Sequence, residues 1–279
     1  MFQDLLLHLD TYPDAAPIER LEEIVDFCCQ LGAGLSALVV QVRIDVHSNP
    51  IAERLLSLSG LAREQERKSE AAAEALITRF SSLAAARGVR HETQVIRSDH
   101  VVVADDVAQC ARTHDLLVVP QATLLDGQRS VAETALFASG RPVVLLPLTA
   151  ARRFDRLDQV IVAWDGSRSA ARAVADALPL LTAAGRIEIV TVSADKPAVG
   201  PASAANLIRH LARHGVQAEV TDLEPHYGSA AAAIATHAAK AGDLLVMGGY
   251  GHARMLEFVL GGVTEHMLAA PPVPIFLSH

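Results

Sequence analysis

Ten short strand-like runs, most of them almost unbroken and apolar, punctuate the chain, and between them apolar residues recur every three or four places. The runs are "DLLLHLD" (4–10), the end of "LGAGLSALVVQV" (31–42), "HETQVI" (91–96), "HDLLVVP" (114–120) and "RPVVLLP" (141–147), then "DQVIVAWD" (158–165), the end of "LTAAGRIEIVTV" (181–192), "AEVTDL" (218–223), "GDLLVMG" (242–248) and "VPIFLSH" (273–279). Short apolar runs of this length, alternating with helical patterns, read as strands of a parallel sheet. The intervening periodicity predicts helices over 16–30, 60–87, 99–113 and 128–138, and over 167–183, 202–214, 227–241 and 262–270.

The second five runs repeat the first five in order. Each half reads β-α-β-α-β-α-β-α-β, the signature of a doubly wound α/β unit with a parallel sheet between helices. The expected organisation is one α/β domain over 1–148, a linker over 149–157 and a second domain over 158–279. The first half carries an added polar stretch, residues 43–68, which reads as a long loop and a short helix over one face.

Composition agrees with this class and removes others. Half of the 279 residues are apolar (51%) while aromatics make up 4%, so Ala, Val and Leu fill the core, as helix-on-sheet packing favours. The net charge of −8, with no stripe of Lys and Arg, argues against nucleic-acid binding. "MFQDLLLHLD" lacks the basic start and cleavage site of a signal peptide, and no apolar run approaches a membrane span. Cys28, Cys29 and Cys110 have no paired spacing and read as reduced, buried thiols. A cytoplasmic protein without a membrane partner is expected.

In an open parallel sheet, ligands bind beyond the carboxyl ends of the strands, where the strand order reverses. Two second-half segments end there. In "VIVAWDGSRSAARAV" (160–174), Asp165 ends a strand and Gly166-Ser167 leads into a helix. Such an Asp suits a base or ribose, although Asp and Ser are also ordinary helix caps. In "GGYGHARMLEFVLGG" (248–262), Gly248 and Gly251 follow a strand; after nine residues Gly261-Gly262-Val263-Thr264 opens the last helix. Glycine allows positive φ and close approach to the backbone, and a helix start offers unpaired N–H groups to a phosphate.

This two-part glycine pattern, with Asp-Gly-Ser upstream and "VTEHMLAAPPVPIFL" following, resembles the nucleotide motif of the universal stress protein family. The resemblance covers the second half and extends more weakly to the first, implying a tandem member with a Rossmann-like fold. It implies that Asp165, with Gly166 and Ser167, meets the adenine or ribose and that Val192 lies against the adenine. It also implies that Gly248, Gly251, His252, Gly261, Gly262, Val263 and Thr264 hold ribose and phosphates. The implied ligand is ATP with Mg²⁺, and the implied role a stress response. Family members dimerise through their last strand, so 142–146 and 273–277 would make an internal pseudo-dimer, with a homodimer also open. One position departs: Gly262 stands where the family has Ser or Thr. A hydrogen bond to a charged group contributes about 1.5–3 kcal/mol, so its loss weakens phosphate binding. The alternative is a stress scaffold that binds partners without nucleotide.

Other signals are weaker. "GAGLSA" (32–37) precedes a strand, whereas a dinucleotide fingerprint follows one, and no Walker sequence is present. His210 and His214 share a helix face but lack the acidic partner of a zinc motif. No general base is placed for hydrolysis, so binding is expected, with slow ATP hydrolysis the most catalysis to look for. In the first half Pro120 and Thr123 stand where Gly248 and Gly251 stand, and the following segment is shorter. That half is expected to bind no nucleotide.

Overall fold

The computed structural model describes residues 2–45, 58–122, 126–148, 157–192, 202–226, 229–250 and 262–279. Its strands are β1 (Asp4–Leu9), β2 (Gly34–Arg43), β3 (His91–Asp99), β4 (Leu116–Gln121), β5 (Val143–Pro147), β6 (Gln159–Ala163), β7 (Arg186–Val192), β8 (Ala218–Leu223), β9 (Leu244–Gly248) and β10 (Ile275–Ser278). The helices are α1 (Leu21–Gln30), α2 (Leu58–Ala86), α3 (Val103–Ala111), α4 (Asp126–Ala138), α5 (Arg168–Leu181), α6 (Ala204–Arg213), α7 (Ala230–Ala241) and α8 (Val263–Ala269).

The strands form one ten-stranded sheet in the order β3-β2-β1-β4-β5-β10-β9-β6-β7-β8. Every neighbouring pair is parallel except β5 with β10. Each half therefore has the same doubly wound order, and the halves join through their last strands. The junction is centred on the pair Val144 and Phe276, flanked by Leu145 with Ile275 and Val143 with Leu277. A pseudo-twofold through that pair relates the halves. It also turns them end for end, so their carboxyl edges lie at opposite ends of the sheet.

Strand alternation sends successive side chains to opposite faces, and both faces of the central strands are covered, whereas the edge strands β3 and β8 are largely exposed. Leu5, Leu7, Leu9, Val160 and Val162 meet α1, α2, α5 and α6 through Phe27, Phe80, Val174 and Leu211. Leu6, Leu38, Ile161 and Val190 meet α3, α4, α7 and α8 through Val107, Leu136, Ile234 and Met267. Burial of large side chains such as Phe27, Phe80 and Phe276, each about 1.5–3 kcal/mol, dominates the stability of this arrangement. At the amino edge both halves use one device. Asp115 Oδ2 accepts the N–H groups of Gln3 and Asp4, and Asp243 Oδ2 accepts those of Asp158 and Gln159, tying the start of β1 and β6 to the strand beside it.

α2 lies where the pattern expects a helix over 60–87, and β3 runs longer than its pattern. The short helix expected within 43–68 is the beginning of α2, which continues for 29 residues. After Gly60 its sequence is rich in Ala, Glu and Arg without a Pro or Gly break, so nothing stops it until Gly88. β3 extends to Asp99, beyond the 91–96 of the pattern, because the ten-residue β2 offers ladder partners up to Arg43.

Candidate functional site

The strand order reverses between β6 and β9 in the second half, which opens a crevice at their carboxyl ends. Asp165 stands there. Trp164 N–H still bonds the Val190 carbonyl at 2.9 Å, so Asp165 leaves the sheet beside the Val192 end of β7. Its side chain is exposed, and Oδ1 accepts the Ser167 N–H at 2.9 Å. Ser167 caps α5, its hydroxyl accepting the Ala170 N–H at 3.1 Å. Between them Gly166 has φ +74°, and a Cβ on it would lie 3.1 Å from the Ala202 Cβ. Ala202 is held in place by Trp164, whose indole N–H donates to its carbonyl at 2.9 Å. The Asp-Gly-Ser turn is thus a built corner with its carboxylate facing outward.

Gly248 ends β9 beneath the first turn of α5. A Cβ there would stand 2.5 Å from the Ser169 carbonyl carbon and closer still to Ala170 N, which are backbone atoms and cannot move aside. The packing of α5 on β9 therefore requires glycine at 248. The turn that follows is directed by the other half of the chain. A Cβ on Gly249 would meet Leu136 Cδ2 at 2.5 Å. Tyr250 has φ +48°, its N–H donates to Thr264 Oγ1 at 3.1 Å, and its hydroxyl donates to Glu133 Oε1 at 2.7 Å. Burial, and after it the Glu133 carboxylate, push the Tyr250 phenol well above its ordinary value, so it remains a donor.

Of the residues singled out in the sequence, Asp165, Gly166, Ser167, Val192 and Gly248 gather at the carboxyl ends of β6, β7 and β9. Gly262 is the N-cap of α8, Val263 its first residue, and Thr264 is buried under the Tyr250 turn. Gly251, His252 and Gly261 lie outside the described residues. The Thr264 hydroxyl accepts a backbone N–H within the fold, and its proton is what it can offer a phosphate oxygen. Among the described residues no group of three His, Cys, Asp or Glu side chains could hold a metal. His210 and His214 are adjacent, ring centroids 4.9 Å apart, as a pair alone. The three cysteines are unpaired, and burial raises each thiol, most of all that of Cys28.

The first half treats the same place differently. Register about the Val144–Phe276 pair makes Leu146 equivalent to Ser278, and their partners, Pro120 and Gly248, equivalent in turn. By the same registers Asp10 corresponds to Asp165 and Val40 to Val192. Asp10 Oδ1 is bonded to His8 Nε2 and Oδ2 to Gln128 Nε2, both at 2.8 Å, and its side chain is only 13% exposed. Thr11 is buried, its hydroxyl donating to the Val40 carbonyl and meeting Ser69 Oγ of α2 at 2.6 Å. The added length of α2 and the amino end of α4 close this crevice with protein.

What sequence reasoning missed is the contact between halves at Tyr250. Glu133 is 117 residues away, and no local pattern marks it.

Residues 157–279 match the sequence profile of the universal stress protein family. No curated protein matches the chain. Among solved structures, a universal stress protein from Archaeoglobus fulgidus is 16% identical, with 98% of this chain and 95% of that chain covered and a TM-score of 0.68. A putative universal stress protein from Pseudomonas aeruginosa is 14% identical, covering 99% and 93%, with a TM-score of 0.52. The cytoplasmic domain of a prokaryotic cation chloride cotransporter is 12% identical, covering 99% and 95%, with a TM-score of 0.53. At these identities the likeness is one of fold, and it spans both halves. Among the described residues no helix is long and apolar enough to cross a membrane. The second half of this chain is thus a universal stress protein domain, set in a two-domain protein with a mostly parallel, Rossmann-like α/β fold.

Proposed function

We propose that the second half binds an adenine nucleotide, ATP with Mg²⁺, and that the protein acts as a nucleotide-binding member of a cytoplasmic stress response. The observation that carries this reading is the contrast between two equivalent carboxylates. Asp10 has both oxygens bonded within the protein, whereas Asp165 is exposed at the strand reversal with Oδ1 bonded only to its own turn. An outward carboxylate at that position suits the hydroxyls of a ribose or an amino group of a base. The N–H groups opening at Gly262 and Val263 and the proton of Thr264 suit phosphate oxygens. Mg²⁺ would be carried on the phosphates and water, and the exposed Asp165 carboxylate could meet one of those waters.

Mass spectrometry of small molecules released from the purified protein, followed by calorimetric titration with ATP, ADP and AMP, tests this. Trp164 is the sole tryptophan and stands beside Asp165, so its fluorescence reports the same event. One nucleotide per chain is expected; no heat and no change in emission would overturn the proposal.

A second reading has its own support. Gly262 offers no hydroxyl, and Thr264 is buried with its oxygen already accepting a hydrogen bond. Those two facts favour a stress scaffold that recognises partners through its surface and binds no nucleotide.

A further inference from the structure

The antiparallel junction has a mechanical consequence. Because the halves are turned end for end, a helix that begins at the carboxyl edge of the first half ends at the carboxyl edge of the second. α4 is that helix: Gln128 near its start bonds Asp10, while Glu133, Leu136 and Phe137 near its end touch the turn after β9. The first half therefore reaches the backbone leaving β9 with the last two turns of α4.

The contact is close and specific. The Tyr250 hydroxyl donates to Glu133 at 2.7 Å, and the Tyr250 ring lies 5.0 Å from that of Phe137, centroid to centroid. The ring of His279 also packs on Phe137, centroids 4.8 Å apart, and its Nδ1 is 2.9 Å from the Gly249 carbonyl. Glu133 is fixed from behind by Arg129 at 3.1 Å, and Arg129 also reaches Glu265 of α8 at 3.5 Å. Tyr250 is held with φ +48°, a backbone conformation that costs a non-glycine residue and persists only where surroundings impose it. Its N–H is bonded to Thr264 at the opening of α8.

The contact is also one-sided. Under the pseudo-twofold Glu133 corresponds to Glu265, Leu136 to Leu268 and Tyr250 to Ala122. Ala122 has no hydroxyl to offer, and Glu265 turns to Arg129 instead. A device serving only to glue the halves together would be expected on both sides of the axis. This one is present only at the edge that carries the exposed Asp165.

We propose that the first half is a positioning module for the ligand site of the second, with Tyr250 and Glu133 as the positioning pair that fixes the backbone leaving β9 at Gly249 and Tyr250 and, through the Tyr250–Thr264 bond, the opening of α8. The inference rests on the nucleotide reading above and assigns the first half a part in that binding. A bound ligand and the Tyr250–Glu133 contact then favour each other, since coupling between two sites is reciprocal.

The test measures nucleotide affinity by calorimetry and thermal stability in the full chain for Tyr250→Phe, Glu133→Ala, Glu133→Gln and the double variant Tyr250→Phe/Glu133→Ala. Phenylalanine keeps the ring contact with Phe137, so the fold is retained. If the pair positions the site, Tyr250→Phe and Glu133→Ala each weaken ATP binding about 5–10-fold, the low end of typical coupling. The double variant is no weaker than either single one, because both remove one shared interaction. Glu133→Gln, which still accepts the Tyr250 hydroxyl, loses less than Glu133→Ala. The melting temperature of Tyr250→Phe stays within a few degrees of the parent. If the parent binds ATP and the variants bind it equally well, or the two losses simply add, the positioning role is overturned while the nucleotide reading stands. If the parent binds none of ATP, ADP and AMP, both fall together.

Discussion

Asp10 and Asp165 end equivalent strands, and their carboxylates do opposite work. Asp10 ties His8 of β1 to Gln128 of α4, while Asp165 closes only its own three-residue turn. Replacing each by Ala should separate the two roles. Asp10→Ala leaves buried donors on His8 and Gln128 unpaired and is expected to lower unfolding stability by about 1–3 kcal/mol, with nucleotide affinity nearly unchanged. Asp165→Ala is expected to change stability by less than about 1 kcal/mol and to abolish most nucleotide binding. Urea unfolding and calorimetry on both variants decide it, and a stoichiometry near one per chain in the parent is part of the same expectation.

Gly248 is expected to tolerate no side chain, for a reason that concerns packing before ligand. The Cβ of Gly248→Ala would be driven into the backbone of Ser169 and Ala170. Either α5 lifts from β9 or β9 shifts from β10, and overpacking of this kind costs about 1–3 kcal/mol. Chemical denaturation should show the loss with or without nucleotide. A variant as stable as the parent would mean that α5 is not seated as described.

At the opening of α8, Gly262 has φ −58° and ψ 158°, an extended conformation that serine adopts without strain. Gly262→Ser is therefore expected to fold normally and to stabilise the helix start by a few tenths of a kcal/mol, as the exchange of a glycine cap for a serine cap does. On the nucleotide reading it also restores a phosphate-facing hydroxyl, and affinity for ATP should rise by about 1 kcal/mol in calorimetry. Unchanged affinity would support the scaffold reading.

Much of the architecture was legible because each half repeats one pattern. Ten strand-like runs became ten strands, and the shared ending "PVVLL" and "PIFLS" marked the two strands that meet at the axis. Even Pro120 against Gly248 could be aligned by eye. The loss of loop length in the first half is visible too: equivalent residues are 128 apart at Pro120 and Gly248 but 132 apart at Val144 and Phe276. What stayed hidden depends on contacts between distant segments. Thr11 looks like any turn residue until Ser69, 58 positions away, is packed beside it. Gly248 reads as a ligand-facing glycine because the motif places it so, whereas the neighbour that forbids a side chain is a helix start 79 residues earlier, at Ser169. The Tyr250–Glu133 bond depends on the halves being antiparallel, a property of the whole sheet and of no short stretch.

Glu188 supplies a prediction about pH that is independent of any ligand. It is buried in the middle of β7, where Ser36 stands in the other half. Burial by itself would raise its carboxyl. The Thr221 hydroxyl donating to Oε1, with His237 Nε2 at 3.1 Å and Arg186 farther off, outweighs burial and holds it below the ordinary 4.5. Gln159 Nε2 donates to Oε2 at 3.0 Å and completes the shell. A carboxyl depressed in the folded state stabilises the fold above its unfolded value, and that contribution disappears as pH falls through the folded value. The parent should therefore lose stability as pH drops from 4.5 toward the depressed value, and Glu188→Gln should flatten this part of the curve. At pH 7 the variant is expected to be less stable than the parent, because the amide brings a donor toward the Thr221 and Gln159 donors and removes the charge that His237 faces. Urea midpoints between pH 3 and 7 provide the measurement, and parallel curves for the two proteins would show that Glu188 does not titrate in this window.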